Sequence, residues 1–358
     1  MQRLLSLGLL VIIVGGGWSL LQGITAQDVG RAAQKVQQRV AQATFATAAP
    51  QQPVQYSAPS AFSSASAPSA QPTIRIASFN IQTFGKSKMG KPYVMRTIAE
   101  VIRRFDVVAI QEIRTQDDYF VQNLLRDYVN PGASAPYAAT VSPRLGRTIS
   151  TEQYAYVYNT ATVEASPQVD FVLTDNQDAL HREPHVAMFR TRVAPVERAF
   201  TFVLMNVHTD PDEVKDELDA LYGAYQAVQR MSIHGATEDD VILLGDLNTN
   251  VPAAGPYTPS NNVRDLTPSD LRMLSRIHGI YPLIRNQATN TRGTRLHDNL
   301  LIPRITTTEF TGRSGVFDLP GEFRLSREQA LQVSDHLPVW GEFSAYESTR
   351  LGPVALRP

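Results

Sequence analysis

The sequence predicts an α/β (α+β) fold in which two β-sheets pack face to face with helices outside them. Three observations lead there. Short β-prone apolar runs recur through residues 73–346, and a few stretches of helical periodicity interrupt them. Acidic, amide and histidine residues stand directly beside several of those runs, as expected where strands open into loops on a rigid scaffold. No self-similarity at a period of about 20–50 residues is visible, so a solenoid or propeller is excluded.

The elements follow in order. IRIASFNI, just after Thr73, alternates and reads as the first strand. Tyr93–Arg104 has helical periodicity, Asp106–Ile110 reads as a buried strand, and Gln116–Tyr128 is helical. Gln153–Tyr158 and Gln168–Leu173 read as a strand pair, with further strands at His185–Arg192 and Ala199–His208. Asp212–Ile233 predicts a long amphipathic helix, started by Pro211 and an acidic first turn. Val241–Leu244 is another strand. Thr267–Ile277 predicts a helix, with Thr267 as N-cap and Pro268 at its first position. Asp298–Ile302 and Leu337–Phe343 complete the strands.

Residues outside this domain are of different character. In residues 1–26 one cation, Arg3, precedes an uncharged apolar stretch that continues to Asp28. A secretory signal cleaved after Ala26 is expected, with an uncleaved membrane anchor as the alternative, since the stretch is long enough to span a bilayer. Cations on both sides leave orientation open. Residues 27–72 form an Ala/Gln-rich, then Pro/Ser-rich linker with too little apolar surface to pack, and residues 347–358 form a tail. The expectation is an exported monomer, secreted or tethered at the cell envelope.

Composition narrows the chemistry. The chain has no cysteine, which excludes disulfides, a thiolate nucleophile, a zinc–thiolate site and cysteine lipidation. Residues 73–346 carry 27 Lys and Arg against 32 Asp and Glu, so bulk charge does not make this a basic nucleic-acid binder. A polyanion would have to be met by a local basic cleft and by metal ions. The cations are mostly arginine, which suits bidentate phosphate contacts.

Three segments place hard oxygen ligands against apolar runs: DVVAIQE ending at Glu112, VILLGDLNTN at Val241–Asn250, and VSDHLPVW at Val333–Trp340. Unpaired buried carboxylates cost several kcal/mol, so strand-end acids need partners. Asn80, Glu112, Asp246, Asn248, Asp298 and Asp335 therefore point to one converging site. Singly, each reads equally well as a turn or capping residue. Oxygen ligands suit Mg²⁺, Mn²⁺ or Ca²⁺. His208 ends the apolar strand FVLMNVH and His336 follows Asp335, a pair suited to acid and base work across one phosphate. The other five histidines lack such a setting. Arg182, before a strand, and Arg114, two residues beyond Glu112, are candidates for phosphate contact, with Arg147 a third. A surface ion pair is the plainer reading of each.

IRIASFNIQTFG, DVVAIQEIR, SPRLGRT, HREPHVAMF, MNVHTDP, LLGDLNTN, LHDNLLI and SDHLPVW occur in an order that resembles the endonuclease/exonuclease/phosphatase superfamily, closest to its deoxyribonuclease I-like branch. The resemblance covers residues 73–342. It implies a four-layer sandwich and divalent-metal-dependent phosphodiester hydrolysis, with Mg²⁺ as the expected ion, Mn²⁺ an alternative, and Ca²⁺ a structural or co-activating one. By that resemblance Asn80 and Glu112 hold metal, Asp335 is a second metal-side carboxylate, and Asp246 and Asn248 position water and phosphate, with Asp246 also beside the metal. His208 and His336 are the acid/base pair, oriented by Glu152 and Asp298. Arg182 and Arg114 resemble phosphate- and groove-contacting arginines. The implied activity is non-specific endonucleolytic hydrolysis of DNA to 5′-phosphate products. The alternatives are a phosphomonoesterase or lipid phosphodiesterase of the same fold, or a non-catalytic surface binding protein. Three departures stand out. Ser150 occupies the place of a DNA-contacting tyrosine, the branch's cysteines are absent, and PAAGPYTPSNN replaces the loop after Asn250.

Overall fold

A computed structural model describes residues 72–148, 150–233, 236–252 and 263–348. The expected targeting segment, the linker up to its last residue and the chain beyond 348 lie outside the described residues, as does most of the loop after Asn250. The first sheet contains β1 (Thr73–Phe84), β2 (Val107–Ile113), β3 (Tyr137–Val141), β4 (Gln153–Asn159), β13 (Phe310–Val316) and β14 (Val339–Ser344), in the order β13-β14-β1-β2-β4-β3. The second contains β5 (Val163–Val172), β6 (His185–Thr191), β7 (Thr201–His208), β10 (Val241–Pro252), β11 (Ile280–Pro282) and β12 (Arg295–Pro303), in the order β11-β12-β10-β7-β6-β5. A two-residue ladder, β8 (Ser232–Ile233) with β9 (Ala236–Thr237), stands apart.

Strand periodicity builds the layers. Successive side chains alternate faces. In β1, Ile74 and Ile76 enter the core shared with the second sheet, whereas Ala77, Phe79 and Ile81 pack on the helical side. In β2, Val107 and Ala109 join the first core and Val108 and Ile110 the second. Three of the helices cover that outer face: α2 (Pro92–Ile102), α3 (Phe120–Leu124) and α6 (Arg327–Val333). Helix α4 (Val214–Gln229) covers the second sheet through Leu218, Leu221, Tyr225 and Val228. Short α1 (Lys86–Met89) and α5 (Leu319–Phe323) complete the helices among the described residues. The result is the expected sandwich of two sheets between helices. Buried polar groups tie its sheets together: Gln111 Nε2 donates to Asn206 Oδ1 at 2.6 Å, and the single Tyr156 hydroxyl proton is shared between the carbonyls of His185 and Leu204, whose oxygens lie at 2.7 and 3.0 Å.

Several expectations need correction. Residues 153–158 and 168–173 are not a strand pair: β4 lies between β2 and β3 in the first sheet, while β5 pairs with β6 in the second. Each supplies one sheet's edge or near-edge strand, and adjacency in sequence concealed the change of sheet. Thr267–Ile277 does not form an α-helix; it folds as turns and a 3₁₀ segment, Arg272–Arg276. Asp270 takes the Thr267 hydroxyl and amide for itself, at 2.6 and 2.8 Å, which fixes a local turn instead. The helix expected over 212–233 ends at Gln229, and Ser232 and Ile233 turn into β8. Strands β3 and β13 and helices α5 and α6 went unforeseen. The tail also begins later than residue 347: Glu347 accepts from the Thr201 amide at 2.8 Å, and the Ser348 amide donates to Glu309 at 2.6 Å.

Gly245 shows how tightly the second sheet is built next to Asp246. Its φ is +148°, and a Cβ there would lie 1.9 Å from the Val207 carbonyl oxygen of the neighbouring strand. Gly245→Ala must push β10 from β7, whose register pairs Gly245 with Val207 and Asp246 with His208. Urea denaturation should show a loss of about 3 kcal/mol or more, at the upper end for overpacking because the obstacle is backbone.

Candidate active site

The site forms where three strand ladders lose register at the same end of the sandwich. Register shifts fall between Asn80 and Phe84 in β1, between Ile110 and Ile113 in β2, and between Asp246 and Val251 in β10. Such irregularities free side chains from strict alternation and re-aim them. Thr83, Glu112, Asn248 and Asn250 all adopt positive φ here, at 50°, 63°, 47° and 52°. This local strain in non-glycine residues is held by the surrounding hydrogen bonds. The chemical residues therefore divide: His208 is the last residue of β7, and Glu152, Asp335 and His336 lie just outside strands, as the sequence suggested, but four others do not. Asn80, Glu112, Asp246 and Asp298 lie inside strands that run on past them.

A row crosses the second sheet. Asp246 of β10 pairs in register with His208 of β7 on one side and Asp298 of β12 on the other. Asp246 is buried. Its Oδ2 accepts from Asn80 Nδ2 at 2.9 Å, and its Oδ1 accepts from the Asn248 amide at 3.0 Å. Asn248 Nδ2 donates to the Thr209 carbonyl at 2.8 Å. His336 arrives from the loop between α6 and β14. Each histidine is braced at Nδ1 by a buried carboxylate: His208 by Glu152 at 2.8 Å, His336 by Asp298 at 2.9 Å. That leaves both Nε2 atoms on Asp246 Oδ2, at 3.5 and 3.6 Å. A carboxylate on the far nitrogen fixes the tautomer and stabilises the imidazolium.

Electrostatics follow from this packing. Burial alone would raise the Asp246 carboxyl, but His336, His208 and His297 together hold it below the usual carboxylate range. Burial pushes Asp298 up, against the pull of His336. For His336, burial opposes the charged form, yet Asp298 and Asp246 outweigh it and carry the imidazole up to about 10. His208 is also raised, with Glu152 and Asp246 overcoming burial and Arg182 pulling the other way. Glu152 is held low because His208, Arg182 and Arg114 outweigh its burial.

The remaining expected residues divide. Arg114 Nε lies 3.3 Å from Glu112 Oε2 and its Nη2 3.3 Å from Glu152, so it bridges the two acids. Arg182 is buried, 3.4 Å from Glu152 and donating to the His208 carbonyl at 3.1 Å. Arg147 is not brought to the cluster; Asp178 and Glu213 engage its guanidinium. Glu112 Oε1 accepts from Asn80 Nδ2 at 3.2 Å and its Oε2 from the Thr83 amide at 2.8 Å. Asp335 accepts from Gln82 Nε2 at 3.0 Å. Supporting residues that the sequence did not single out include Gln82, Ser334, Thr289 and His297. Ser334 donates to the Asn80 carbonyl and accepts from the Gln82 and His336 amides, which joins β1 to the His336 loop. The Thr289 hydroxyl donates to Asp298 at 2.6 Å. The His297 ring centroid lies 5.6 Å from that of His336. Their signal was only proximity in sequence to the acids and histidines, which many inert residues share.

Asn80 Oδ1 is buried without a hydrogen-bond partner, on a side chain that bonds both Glu112 and Asp246, and Asp335 Oδ1, 4.0 Å from His336 Nε2, is likewise without one. Orphaned hard oxygens next to carboxylates fit a divalent cation such as Mg²⁺, Mn²⁺ or Ca²⁺. Beside Glu112 opens a cleft of about 340 Å³ lined in part by Lys86, Arg114 and Arg144.

A model of the endonuclease/exonuclease/phosphatase family matches residues 77–336. Deoxyribonuclease-1-like 1 of Sus scrofa is 32% identical over 291 residues, covering 79% of this chain and 84% of that protein. Deoxyribonuclease-1-like 1 of Chlorocebus aethiops is 30% identical over 284 residues, covering 79% and 88%. Deoxyribonuclease-1 of Bos taurus is 30% identical over 272 residues, covering 75% and 91%. These matches put the chain among the hydrolases of phosphate esters. It belongs to the endonuclease/exonuclease/phosphatase family.

The His336 setting predicts a pH dependence in the metal-free protein. Its folded value of about 10 exceeds the ordinary 6.5. Its stabilising contribution is therefore complete below about pH 6.5 and is lost as pH rises towards 10. NMR should find the imidazole still protonated at pH 8. Asp298→Asn should move its midpoint down towards the ordinary value, and an unmoved midpoint would contradict the assignment.

Proposed function

We propose that this chain is a divalent-metal-dependent endodeoxyribonuclease that cleaves DNA phosphodiesters without sequence selection and leaves 5′-phosphates. The observation that carries the reading is the convergence of two carboxylate-braced histidines, Nε2 first, on one buried carboxylate. That arrangement suits proton transfer on opposite sides of one phosphate. The deoxyribonuclease names of its relatives support DNA as the substrate, and the basic cleft beside Glu112 supports a polyanion.

In this reading Glu112 and Asn80 hold a Mg²⁺ ion, with Asp335 and Asp246 adjoining. When bound, that ion supplies charge neutralisation for the phosphate and its transition state. His208 takes the proton of the attacking water. Its brace, Glu152, is shared with two guanidinium groups, and the Arg182 guanidinium works against the charged form of the His208 ring. His336, held protonated by Asp298 and Asp246, delivers a proton to the leaving 3′ oxygen. Asp246 and Asn248 orient water and phosphate between the two rings. Arg114 and Arg182 hold Glu152 in place and present positive charge to the phosphate. Among the described residues no element supplies a dedicated base-reading helix, which supports sequence-independent cutting. The apolar stretch in residues 1–26 supports export, by a cleaved signal or a retained tether.

Supercoiled plasmid with Mg²⁺ and Ca²⁺ tests this. The wild-type chain should give relaxed circles, and EDTA should abolish them. His208→Ala and His336→Ala should each lower the rate by about 10²–10⁴-fold with the circular dichroism unchanged. A folded wild type that nicks nothing would reject the nuclease reading and turn the search to phosphomonoester and phospholipid substrates.

A further inference from the structure

A second group of acids lies at the opposite end of the sandwich. Asp240 precedes β10, Glu309 precedes β13, and Glu347 follows β14. Each offers a carboxylate oxygen within 4.8 Å of the others. Asp240 and Glu309 are each only 3% exposed. Glu309 Oε2 is buried with no hydrogen-bond partner, and the buried Asp240 carboxylate has the Thr307 hydroxyl beside it but no cation. Among the described residues, no Lys, Arg or His forms an ion pair with any of these acids. Glu238 adds a fourth carboxylate close by, accepting from the Asp240 amide at 3.0 Å and from the Thr201 hydroxyl at 2.7 Å.

Buried unpaired carboxylates facing one another are costly, and proteins relieve that cost with a proton, a cation or a metal. Burial, then the nearby Glu309, pushes the Asp240 carboxyl up to about 9 in the metal-free state, and burial likewise carries Glu347 up to about 7. The donors are all oxygen, three of them carboxylates, with one hydroxyl within reach. Calcium binds such oxygens at about 2.3–2.6 Å, so two of its ligands can stand nearly 5 Å apart. Magnesium, with bonds of about 2.0–2.1 Å, needs a tighter cage.

We propose that Asp240, Glu309 and Glu347 form a structural calcium site, with the Thr307 hydroxyl as a further ligand, remote from the catalytic end. Six residues of strand separate Asp240 from Asp246, a distance of about 20 Å. Asp240 flanks a strand of the second sheet, whereas Glu309 and Glu347 flank strands of the first. The ion would thus clasp the two sheets and fix the segment after β14. That segment already bonds both sheets, since Thr191 Oγ1 of β6 donates to the Ala345 carbonyl at 2.6 Å and the Ala345 amide donates to the Pro72 carbonyl at 2.9 Å.

Equilibrium dialysis of the full chain against calcium, paired with thermal unfolding, tests the proposal. The double variant Asp240→Asn/Glu309→Gln should bind one fewer Ca²⁺ per chain than wild type. The calcium-induced rise in wild-type Tm, on the order of 5–10 °C near one hundred times Kd, should shrink in the variant. In EDTA the variant should melt at or above the wild-type temperature, because the repulsion is gone. Equal stoichiometry in the two chains, or a variant that melts lower in EDTA, would overturn the site. Should the double variant not fold, Glu347→Gln is read instead. A loss of one calcium or a tenfold weaker affinity supports the site, and unchanged binding rejects it.

Discussion

One buried carboxylate organises the candidate active site of this protein. Asp246 lies under the seam between the sheets, where an ionised acid costs several kcal/mol unless it is matched. The neighbours that match it are Asn80 from the first sheet, the Asn248 amide from its own strand, and three imidazoles around it. Remove that anion and the histidines lose the charge that faces them. Their own braces, Glu152 and Asp298, would then be buried acids in turn. The site is a chain of mutual compensation, and each member is affordable only because the next is present.

The sheets supply the geometry that makes this compensation possible. Parallel pairing of β7 with β10 and antiparallel pairing of β10 with β12 put His208, Asp246 and Asp298 in one row. The first sheet lays Asn80 and Glu112 opposite, on adjacent strands β1 and β2. Flat, unbroken ladders would point alternate residues away from the seam. The register shifts and the positive-φ residues at Glu112 and Asn248 turn them back. Strain of this kind sits at the chemical end, while the long apolar strands bear the stability.

The order of motifs in the sequence made the two-sheet fold and most of the cluster legible, because strand alternation and strand-adjacent acids are local signals. Pairing was not. Nothing in Gln168–Leu173 says which sheet it joins, because neighbours in sequence need not be neighbours in space and β5 crosses to the second sheet while β4 stays in the first. Thr267–Ile277 carried the signs of a helix start, but Asp270 used those same groups for a turn. Gln82, Ser334 and Thr289 escaped notice because their importance lies wholly in what folding brings against them. Arg147 shows the reverse: a plausible arginine that the fold spends on Asp178 and Glu213. The acidic group around Asp240 was invisible for a further reason, since its members come from three separate loops with no motif among them.

The hydrogen bond from Ser334 to the Asn80 carbonyl joins residues 254 positions apart, and Asn80 reaches Asp246 across 166. Contacts of such span carry a larger loop-closure cost than local ones. His336 depends on them, because the Ser334 hydroxyl that donates to the Asn80 carbonyl also accepts from the His336 amide. In the proposed reading the two imidazoles face one carboxylate only when residues from both ends of the domain have met, so a chain ending before residue 336 would keep His208 and Asp246 without the second ring.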